Sequence, residues 1–271
     1  MDWNAMAAPW LAAEAEMDAA HAPAKQGLME RAQLQNGQKV LDIGPGGGAS
    51  LLDAADAVGP NGQVVGIEIA PPFVERALQR VPANVDVQVG DAATHHFEPA
   101  EFDAAISLLG VMFFTDPTAA FAHIRTALKP GAVLTFACWG PPQSNPWFSM
   151  PGGVATDVFG PGPSFDPDVP GPMAFSDTAK IDRILTGAGW QVDIDTAELL
   201  LTPKGTPADV RDLQMTIGAA AMRMEGARES GELTDDHVES VRAGLLKGFS
   251  EMVQGDKVLI PAQIHFVRAT A

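Results

Sequence analysis

The sequence predicts an α/β fold, a doubly wound and mostly parallel sheet of seven strands, with N-terminal helices and a lid or helical insert after strand five. Two observations support this prediction. Between residues 39 and 138, short and nearly all-apolar runs alternate with helical patterns, as in parallel sheets that are covered on both faces. A Pro- and Gly-rich stretch, residues 140–172, then interrupts the alternation. The 271 residues are enough for one such domain.

The first half of the chain predicts helices followed by alternating elements. Residues 5–34 are rich in Ala and have apolar residues at helical spacing, and Pro23 predicts a break into two helices. Lys129-Pro130-Gly131 predicts a turn before the fifth strand. The predicted strands span residues 39–43, 63–69, 85–89, 102–108 and 133–138, and the helices between them span residues 49–57, 71–80 and 116–128.

The second half begins with the interrupting stretch, which carries Trp147, Phe148, Phe159 and Phe165. An irregular segment of this length is typical of a lid or a binding segment. Regular structure resumes with Ser176 as a predicted helix N-cap and Gly189 just past the end of that helix. The remaining predictions are strands over residues 190–201 and 258–267, and helices from Thr206 to about Met224 and from Thr234 to about Met252.

The chain is strongly acidic, with a net charge of −17. Its field repels nucleic-acid phosphates and anionic membranes, so we expect neither as a partner. Cys138 is the single cysteine, which excludes an intrachain disulfide, and its apolar surroundings predict a buried and unreactive thiol. The opening residues lack a basic region, so we expect no signal peptide and a cytoplasmic location. A homodimer is one assembly that the sequence allows.

A glycine loop follows the first predicted strand, with Gly44, Gly46 and Gly48 alternating after Asp42. Glycines let backbone amides approach a ligand closely, and the N-terminus of the next helix adds positive potential. The loop alone is ambiguous, because Gly44-x-Gly46-x-x-Ala49 also satisfies a dinucleotide-binding pattern. Asp42 favours a cationic ammonium group over a pyrophosphate, which its carboxylate would repel.

Carboxylates follow three successive strands. Asp42, Glu68 and Asp91 lie at the ends of predicted strands one, two and three, on the edge where open α/β sheets bind ligands. A carboxylate at the second position can accept from ribose hydroxyls, and one at the third can accept from an adenine amino group. A surface Asp at a strand end is common by itself, but three acidic residues at this one edge indicate a ligand site.

The chain resembles the class I S-adenosylmethionine-dependent methyltransferases in five segments: Asp42–Gly48, Val65–Glu68, Gly90–Ala92, Phe102–Ser107 and Ala127–Gly131. Within that superfamily it is similar to the ubiquinone/menaquinone-biosynthesis type. The segment Gly110–Pro117, with the later Cys138-Trp139 and Asn145-Pro146-Trp147, resembles a bacterial subgroup of small-molecule enzymes. The resemblance is strongest over residues 36–140. Pro45 departs from it, because many relatives carry Cys, Ala or Thr there and proline has no amide to donate.

The resemblance implies a Rossmann-like fold, one domain over residues 1–271 and S-adenosylmethionine as the cofactor, with S-adenosylhomocysteine as its product and no metal. The implied parts are an N-terminal helical cover (1–35), a cofactor-binding core (36–140), a lid segment (141–175) and C-terminal helices with the last strands (176–271). The implied cofactor-binding residues are Asp42, Gly44, Pro45, Gly46, Glu68, Ile69, Asp91, Ala92, Ser107 and Leu108.

The implied reaction is methyl transfer to a small-molecule acceptor by in-line displacement, with oxygen, nitrogen, sulfur and carbon acceptors all left open. A base is needed only if the acceptor loses a proton. His95 and His96, just after Asp91, are the candidates, although both also suit solvated surface positions. Candidates for the acceptor pocket are Trp139, Asn145 and Trp147, and Trp3 and Trp10 could belong to the helical cover.

Two other functions remain open from the sequence. A non-catalytic S-adenosylmethionine-binding or interaction protein would need no residue on the acceptor side. A nicotinamide-dependent oxidoreductase would share the glycine loop and Glu68, but it would place a pyrophosphate close to Asp42.

Overall fold

The structure is a computed structural model that describes residues 2–162 and 166–271, so Phe165 of the predicted lid lies outside the described residues. The chain forms one seven-stranded sheet and a separate two-stranded hairpin. The strands are β1 (Lys39–Ile43), β2 (Gln63–Glu68), β3 (Val85–Val89), β4 (Phe102–Leu108), β5 (Leu128–Trp139), β6 (Gln191–Leu201), β7 (Val253–Gln254), β8 (Lys257–Val258) and β9 (Ile260–Thr270).

Helices cover the sheet and extend from its edge. They are α1 (Trp3–Ala12), α2 (Glu14–Ala32), α3 (Ala49–Val58), α4 (Pro71–Leu78), α5 (Pro117–Ala127), α6 (Pro146–Phe159), α7 (Thr178–Gly187), α8 (Pro207–Thr216), α9 (Ala219–Glu229) and α10 (Asp235–Ser250). Among the described residues, no helix is both long enough and apolar enough to cross a membrane.

The sheet has the strand order β3-β2-β1-β4-β5-β9-β6. The first five strands in this order pair in parallel, and β9 runs antiparallel between β5 and β6. This confirms the predicted mostly parallel sheet of seven strands. The order reverses between β1 and β4, and the crevice at such a switch point is where open α/β sheets bind their ligands.

Two apolar layers hold the helices on the sheet. On one face, Leu51 of α3 and Val74 of α4 pack over Val40 and Val64. On the other face, α2 crosses the sheet and buries Leu28 completely. The helix comes so close that a Cβ built on Gly27 would lie 2.5 Å from Cζ of Phe266, so this crossing requires glycine.

The N-terminal helices break at a different place from the one predicted. Pro23 lies inside α2, and the break falls at Ala13. A proline cannot donate to the carbonyl four residues earlier, but here the Thr202 hydroxyl donates to the Ala19 carbonyl oxygen at 3.1 Å. A residue distant in sequence therefore replaces the missing hydrogen bond.

The irregular segment after strand five is largely helical. Residues 146–159 form α6, with Pro146 in its first turn, where a proline costs no hydrogen bond. The predicted helical insert is confirmed, and the role of residues 141–175 as a lid stays a prediction.

Three other local predictions are also wrong. Lys129-Pro130-Gly131 is not a separate turn but the irregular start of β5, where the register with β4 shifts between Phe102 and Ala104. The helix predicted from Thr206 to Met224 divides at Gly218 into α8 and α9. Asp177, not Ser176, caps α7 by accepting from the Ala179 amide at 2.9 Å.

Candidate active site

A cavity of about 1200 Å³ lies at the sheet edge where β1 to β4 end. The loops after these four strands form one end of it. Residues of α1, α2, α6, α8 and α9 form the other walls. The cavity therefore joins the predicted cofactor loops to elements from the two ends of the chain.

The glycine loop has positive backbone φ angles, which residues with a Cβ rarely adopt. Gly44, Gly46 and Gly48 have φ values of +67°, +55° and +95°, a left-handed region that costs residues with a Cβ about 1–2 kcal/mol. A Cβ on Gly44 would also lie 3.2 Å from Cα of Gly110. Gly48 begins α3 without a side-chain cap, so its first amides keep free donors beside the loop.

Asp42 lies beneath the loop and is completely buried. Its Oδ2 accepts from the Ser50 hydroxyl at 2.6 Å, and its Oδ1 has no hydrogen-bond partner among the described residues. Burial raises the pKa of Asp42 to about 7, Ser50 opposes the increase and Glu68 adds to it. Asp42 itself does not line the cavity, whereas Ser50 does, so an unsatisfied acidic group lies one side chain behind the wall.

Glu68 connects the end of β2 to the glycine loop. Its Oε2 accepts from the Gly46 amide at 3.1 Å and its Oε1 from the Ala70 amide at 3.0 Å. Burial raises the pKa of this carboxyl, and the amide hydrogen bonds oppose that increase. Each oxygen can accept a second hydrogen bond, so the cavity wall still offers acceptors here.

The next strand ends complete this end of the cavity. Asp91 is exposed, and its Oδ1 accepts from the Ala93 amide at 2.9 Å, which orders the turn that presents Ala92. Ile69 is half exposed in the wall, and Leu108 lines it from β4. Ser107 does not line the cavity, because its hydroxyl donates to the Ile43 carbonyl oxygen at 2.7 Å and joins β4 to β1.

The two predicted base candidates lie outside the cavity wall. His95 packs on Phe97 with ring centroids 4.9 Å apart. His96 is 88% exposed beside Glu98. Neither imidazole is therefore placed to take a proton inside the cavity. No group of three or more His, Cys, Asp or Glu within the described ranges is arranged to hold a metal ion.

A histidine that sequence reasoning left aside does line the cavity. His21, on α2, lies against Trp139 and Trp147, with ring centroids 5.6 and 5.7 Å apart. Its Nε2 is buried and has no hydrogen-bond partner in the described part of the chain. Burial lowers the pKa of His21 to about 4, while the Met17 carbonyl opposes that effect. No motif surrounds His21, so only the packing of α2 against β5 could reveal its position.

Of the three residues predicted to contact the acceptor, two line the cavity and one does not. Trp139 and Trp147 line the cavity, and Phe148 packs edge-on against Trp139 at 4.9 Å. Asn145 does not line it, which corrects the prediction. Its amide donates to the carbonyl oxygens of Gly140 and Pro141 and accepts from the Gln263 amide at 3.0 Å, so it fixes α6 to the sheet.

Ion pairs fasten the N-terminal helices over the end of the cavity that the loops after β1 to β4 form, which we call the cofactor end after the predicted role of these loops. Glu14 pairs with Arg76 at 2.7 Å and with Arg80 at 2.8 Å. Arg80 also reaches Asp18 at 2.7 Å and donates to the Gly47 carbonyl oxygen at 2.9 Å. This cluster, which we call the Glu14 clamp, joins the start of α2 to α4 and to the glycine loop.

The cavity lining is electrostatically negative. Among the described residues of the lining there are two cations, and both are paired, Lys25 with Asp53 at 2.9 Å and Arg228 with Glu225. The carboxylates in the lining are Glu14, Asp18, Glu68, Asp91, Asp116 and Glu225. A positively charged ligand is therefore favoured over a phosphate or pyrophosphate.

Comparisons with known proteins agree with this geometry. Residues 40–131 match the family model described as a methyltransferase domain. The nocamycin O-methyltransferase of Saccharothrix syringae is 34% identical over 126 residues, covering 45% of each chain. The aklanonic acid methyltransferase DauC of Streptomyces sp. (strain C5) is 36% identical over 118 residues, covering 42% of this chain and 54% of that protein. The chain thus spans about half the length of these curated relatives.

The fold extends beyond the matched segment. The structure of YcgJ from Bacillus subtilis superimposes with a TM-score of 0.55 at 15% identity, covering 91% of this chain and 97% of that one. At this identity the likeness concerns the fold alone. The matched segment contains the glycine loop, Glu68 and Asp91, which are the features that form the cofactor end of the cavity. Residues 40–131 of this chain are therefore similar to the methyltransferase-domain family, and the structural likeness shows that the rest of the chain continues the same kind of fold.

Proposed function

We propose that this protein transfers a methyl group from S-adenosylmethionine to a small-molecule acceptor. The observation that carries the proposal is the buried Asp42 beneath a left-handed glycine loop, with one carboxylate oxygen unsatisfied and, among the described residues of the cavity lining, no unpaired cation. That combination suits a ligand with positive charge and disfavours the pyrophosphate of a nicotinamide cofactor.

Different residues of the chain would hold the different parts of the cofactor. The free amides at the start of α3 would receive the carboxylate of the methionyl part, and Ser50, with Asp42 behind it, would face the ammonium group. Glu68 would accept from the ribose hydroxyls, Asp91 with Ala92 would hold the adenine edge beside Ile69, and Leu108 would contact the methionyl part. When bound, S-adenosylmethionine supplies a methyl group on a sulfonium, whose leaving group is a neutral thioether.

The chemistry requires positioning more than proton transfer. Departure of a thioether needs no acid, so an enclosed cavity that aligns donor and acceptor supplies much of the rate enhancement. Residues of α1, α2 and α6 form walls of this cavity. A small molecule suits a cavity of this size, and the acidic surface disfavours a nucleic-acid acceptor. A cytoplasmic location and a homodimer remain parts of the proposal.

A non-catalytic cofactor-binding protein is the second candidate. The size of the cavity argues for catalysis, because about 1200 Å³ exceeds the roughly 300–1,000 Å³ that one ligand site typically occupies. Space beyond the cofactor loops suits an acceptor, which a binding protein would not need.

Calorimetry tests the cofactor and labelled transfer tests the reaction. We expect S-adenosylmethionine and S-adenosylhomocysteine to bind and NADH not to bind. We also expect label from methyl-labelled S-adenosylmethionine to appear in a small-molecule fraction when the protein is incubated with hydroxylated aromatic compounds. Tight NADH binding without S-adenosylmethionine binding would contradict the proposal, and cofactor binding with no transfer to any acceptor would favour the second candidate.

A further inference from the structure

The far end of the cavity, away from the glycine loop, differs in character from the cofactor end. We call it the acceptor end. Its wall is formed by apolar and sulfur-containing side chains: Met112, Trp139, Trp147, Phe148, Met215 and Met222. Aromatic faces and flexible thioethers together form a surface that adapts to flat apolar molecules. These walls favour an acceptor with a ring system.

The charges of the cavity lining limit the class of acceptor further. Among the described residues of the lining, both cations are already paired with carboxylates. An acceptor that carries a phosphate, sulfonate or carboxylate would lose its water without gaining a counter-ion. A neutral acceptor does not incur this cost.

His21 is the one titratable group among these aromatic rings. Its imidazole forms part of the wall between Trp139 and Trp147, and its Nε2 is covered and has no partner. The Met17 carbonyl lies near the other ring nitrogen and can only accept a hydrogen bond, so that nitrogen carries the proton. Nε2 is then a bare acceptor, and no group in the described part of the chain donates a hydrogen bond to it.

We propose that the acceptor is a neutral, apolar ring compound whose hydroxyl group donates a hydrogen bond to Nε2 of His21. This inference rests on the proposed methyl transfer and specifies its substrate class. Because Nε2 is covered and the His21 ring packs against Trp139 and Trp147, the surroundings of this contact favour an apolar ring over a hydrated ion. Methylation of the hydroxyl removes the donor, so the same contact also favours release of the product over the substrate.

The test uses the full chain saturated with S-adenosylhomocysteine and three fluorescent probes that share one ring system. Hydroxypyrene is neutral and has a donor, methoxypyrene is neutral without a donor, and pyrene sulfonate is anionic. We expect hydroxypyrene to bind about fivefold more tightly than methoxypyrene, the scale of one hydrogen bond, and pyrene sulfonate to bind most weakly.

Variants assign the preference to His21. In His21→Phe the ratio between hydroxypyrene and methoxypyrene should fall to about 1, and His21→Gln, which keeps an acceptor oxygen, should restore part of it. His237→Phe is the matched control, because His237 also has a buried and unpartnered ring nitrogen but lies outside the cavity lining. That variant should keep the wild-type ratio.

The outcomes separate this inference from the proposed function. If S-adenosylhomocysteine does not bind the wild-type protein, the proposed function fails and the inference fails with it. If it binds all variants but the probe ratio is the same in His21→Phe and wild type, only the role of His21 is overturned. Tightest binding of pyrene sulfonate, or no binding of any pyrene to the wild-type complex, would overturn the neutral aromatic class.

Discussion

The two ends of the cavity are built in different ways. The cofactor end comes from consecutive strand ends between residues 42 and 110, and it presents backbone amides and carboxylates on a glycine path with positive φ. The acceptor end gathers side chains from α2, α6, α8 and α9, which are far apart in sequence, and it presents aromatic rings and thioethers. The comparison teaches that backbone geometry forms one end of the cavity and that side chains from many elements form the other, which is the division between cofactor and acceptor that we propose.

The largest loss of cofactor binding should follow from adding a side chain to the glycine loop. Gly44→Ala adds left-handed strain and a Cβ 3.2 Å from Cα of Gly110, so we expect S-adenosylhomocysteine binding to weaken by roughly 2–5 kcal/mol in calorimetry. Gly37→Ala is the control, since Gly37 has φ +85° with no atom within 4 Å of an added Cβ. If both variants bound the cofactor as wild type does, the backbone path would not define the cofactor end.

The substitution Asp42→Asn should change the stability of the folded protein in a pH-dependent way. The folded protein holds the Asp42 proton to about pH 7, whereas an ordinary Asp loses it near 3.8. The folded state therefore binds more protons in this window, and wild-type stability falls as the pH rises from about 4 to about 7. Asparagine resembles the protonated acid, so the variant should be more stable than wild type by roughly 1–4 kcal/mol at pH 8.

Urea unfolding at pH 8 and at pH 3 measures this difference. The gain should disappear at pH 3, where the carboxyl is protonated in both states, and cofactor binding should weaken in the variant. A stability difference that did not change with pH would show that Asp42 is not the group that titrates.

A smaller loss is expected from Glu68→Gln, which keeps the shape of the side chain and removes its charge. We expect cofactor binding to weaken by about 1–3 kcal/mol, the scale of charge-assisted hydrogen bonds. Calorimetry measures it, and Glu98→Gln, on the exposed surface outside the cavity, serves as the control. Equal affinities in the two variants would count against the ribose role of Glu68.

The smallest effect should come from opening the Glu14 clamp. Arg80→Gln removes the contacts to Glu14, Asp18 and Gly47, and partly exposed ion pairs of this kind contribute about 0.2–1 kcal/mol each. We expect thermal unfolding at a slightly lower temperature and faster cofactor dissociation in stopped-flow measurements. The difference from wild type should shrink at high salt, and a difference that grew with salt would contradict an ionic clamp.

Sequence reasoning reached the cofactor end because its signals are local. A glycine that must take a positive φ, or an acid at a strand end, is visible within a few residues, so Gly44, Glu68 and Asp91 were found together. Their roles toward the cofactor remain predictions, although the structure places all three in one cavity wall. Ser107 lies on the correct strand, but a single-sequence pattern could not show that its hydroxyl turns toward Ile43.

The acceptor end and several helix boundaries depend on contacts between distant residues. His21 gains its position from α2 lying across β5, and Pro23 is tolerated inside α2 because Thr202, on a distant segment, satisfies the carbonyl that Pro23 leaves free. Asn145 follows Trp139 closely in sequence, yet its hydrogen bonds to Gln263 direct it away from the cavity. No local pattern carries this information.

The unsatisfied oxygen of Asp42 has a consequence for the charge of the site over a catalytic cycle. In the methyl transfer that we propose, the cofactor would arrive with a sulfonium and leave as a neutral thioether, so the charge of the bound cofactor would change by one unit in every turnover. With a pKa of about 7, Asp42 would give up its proton when the positive charge arrives and take one back after that charge is gone. The carboxyl would then act as a charge buffer, which keeps the net charge of the pocket nearly constant while its contents change.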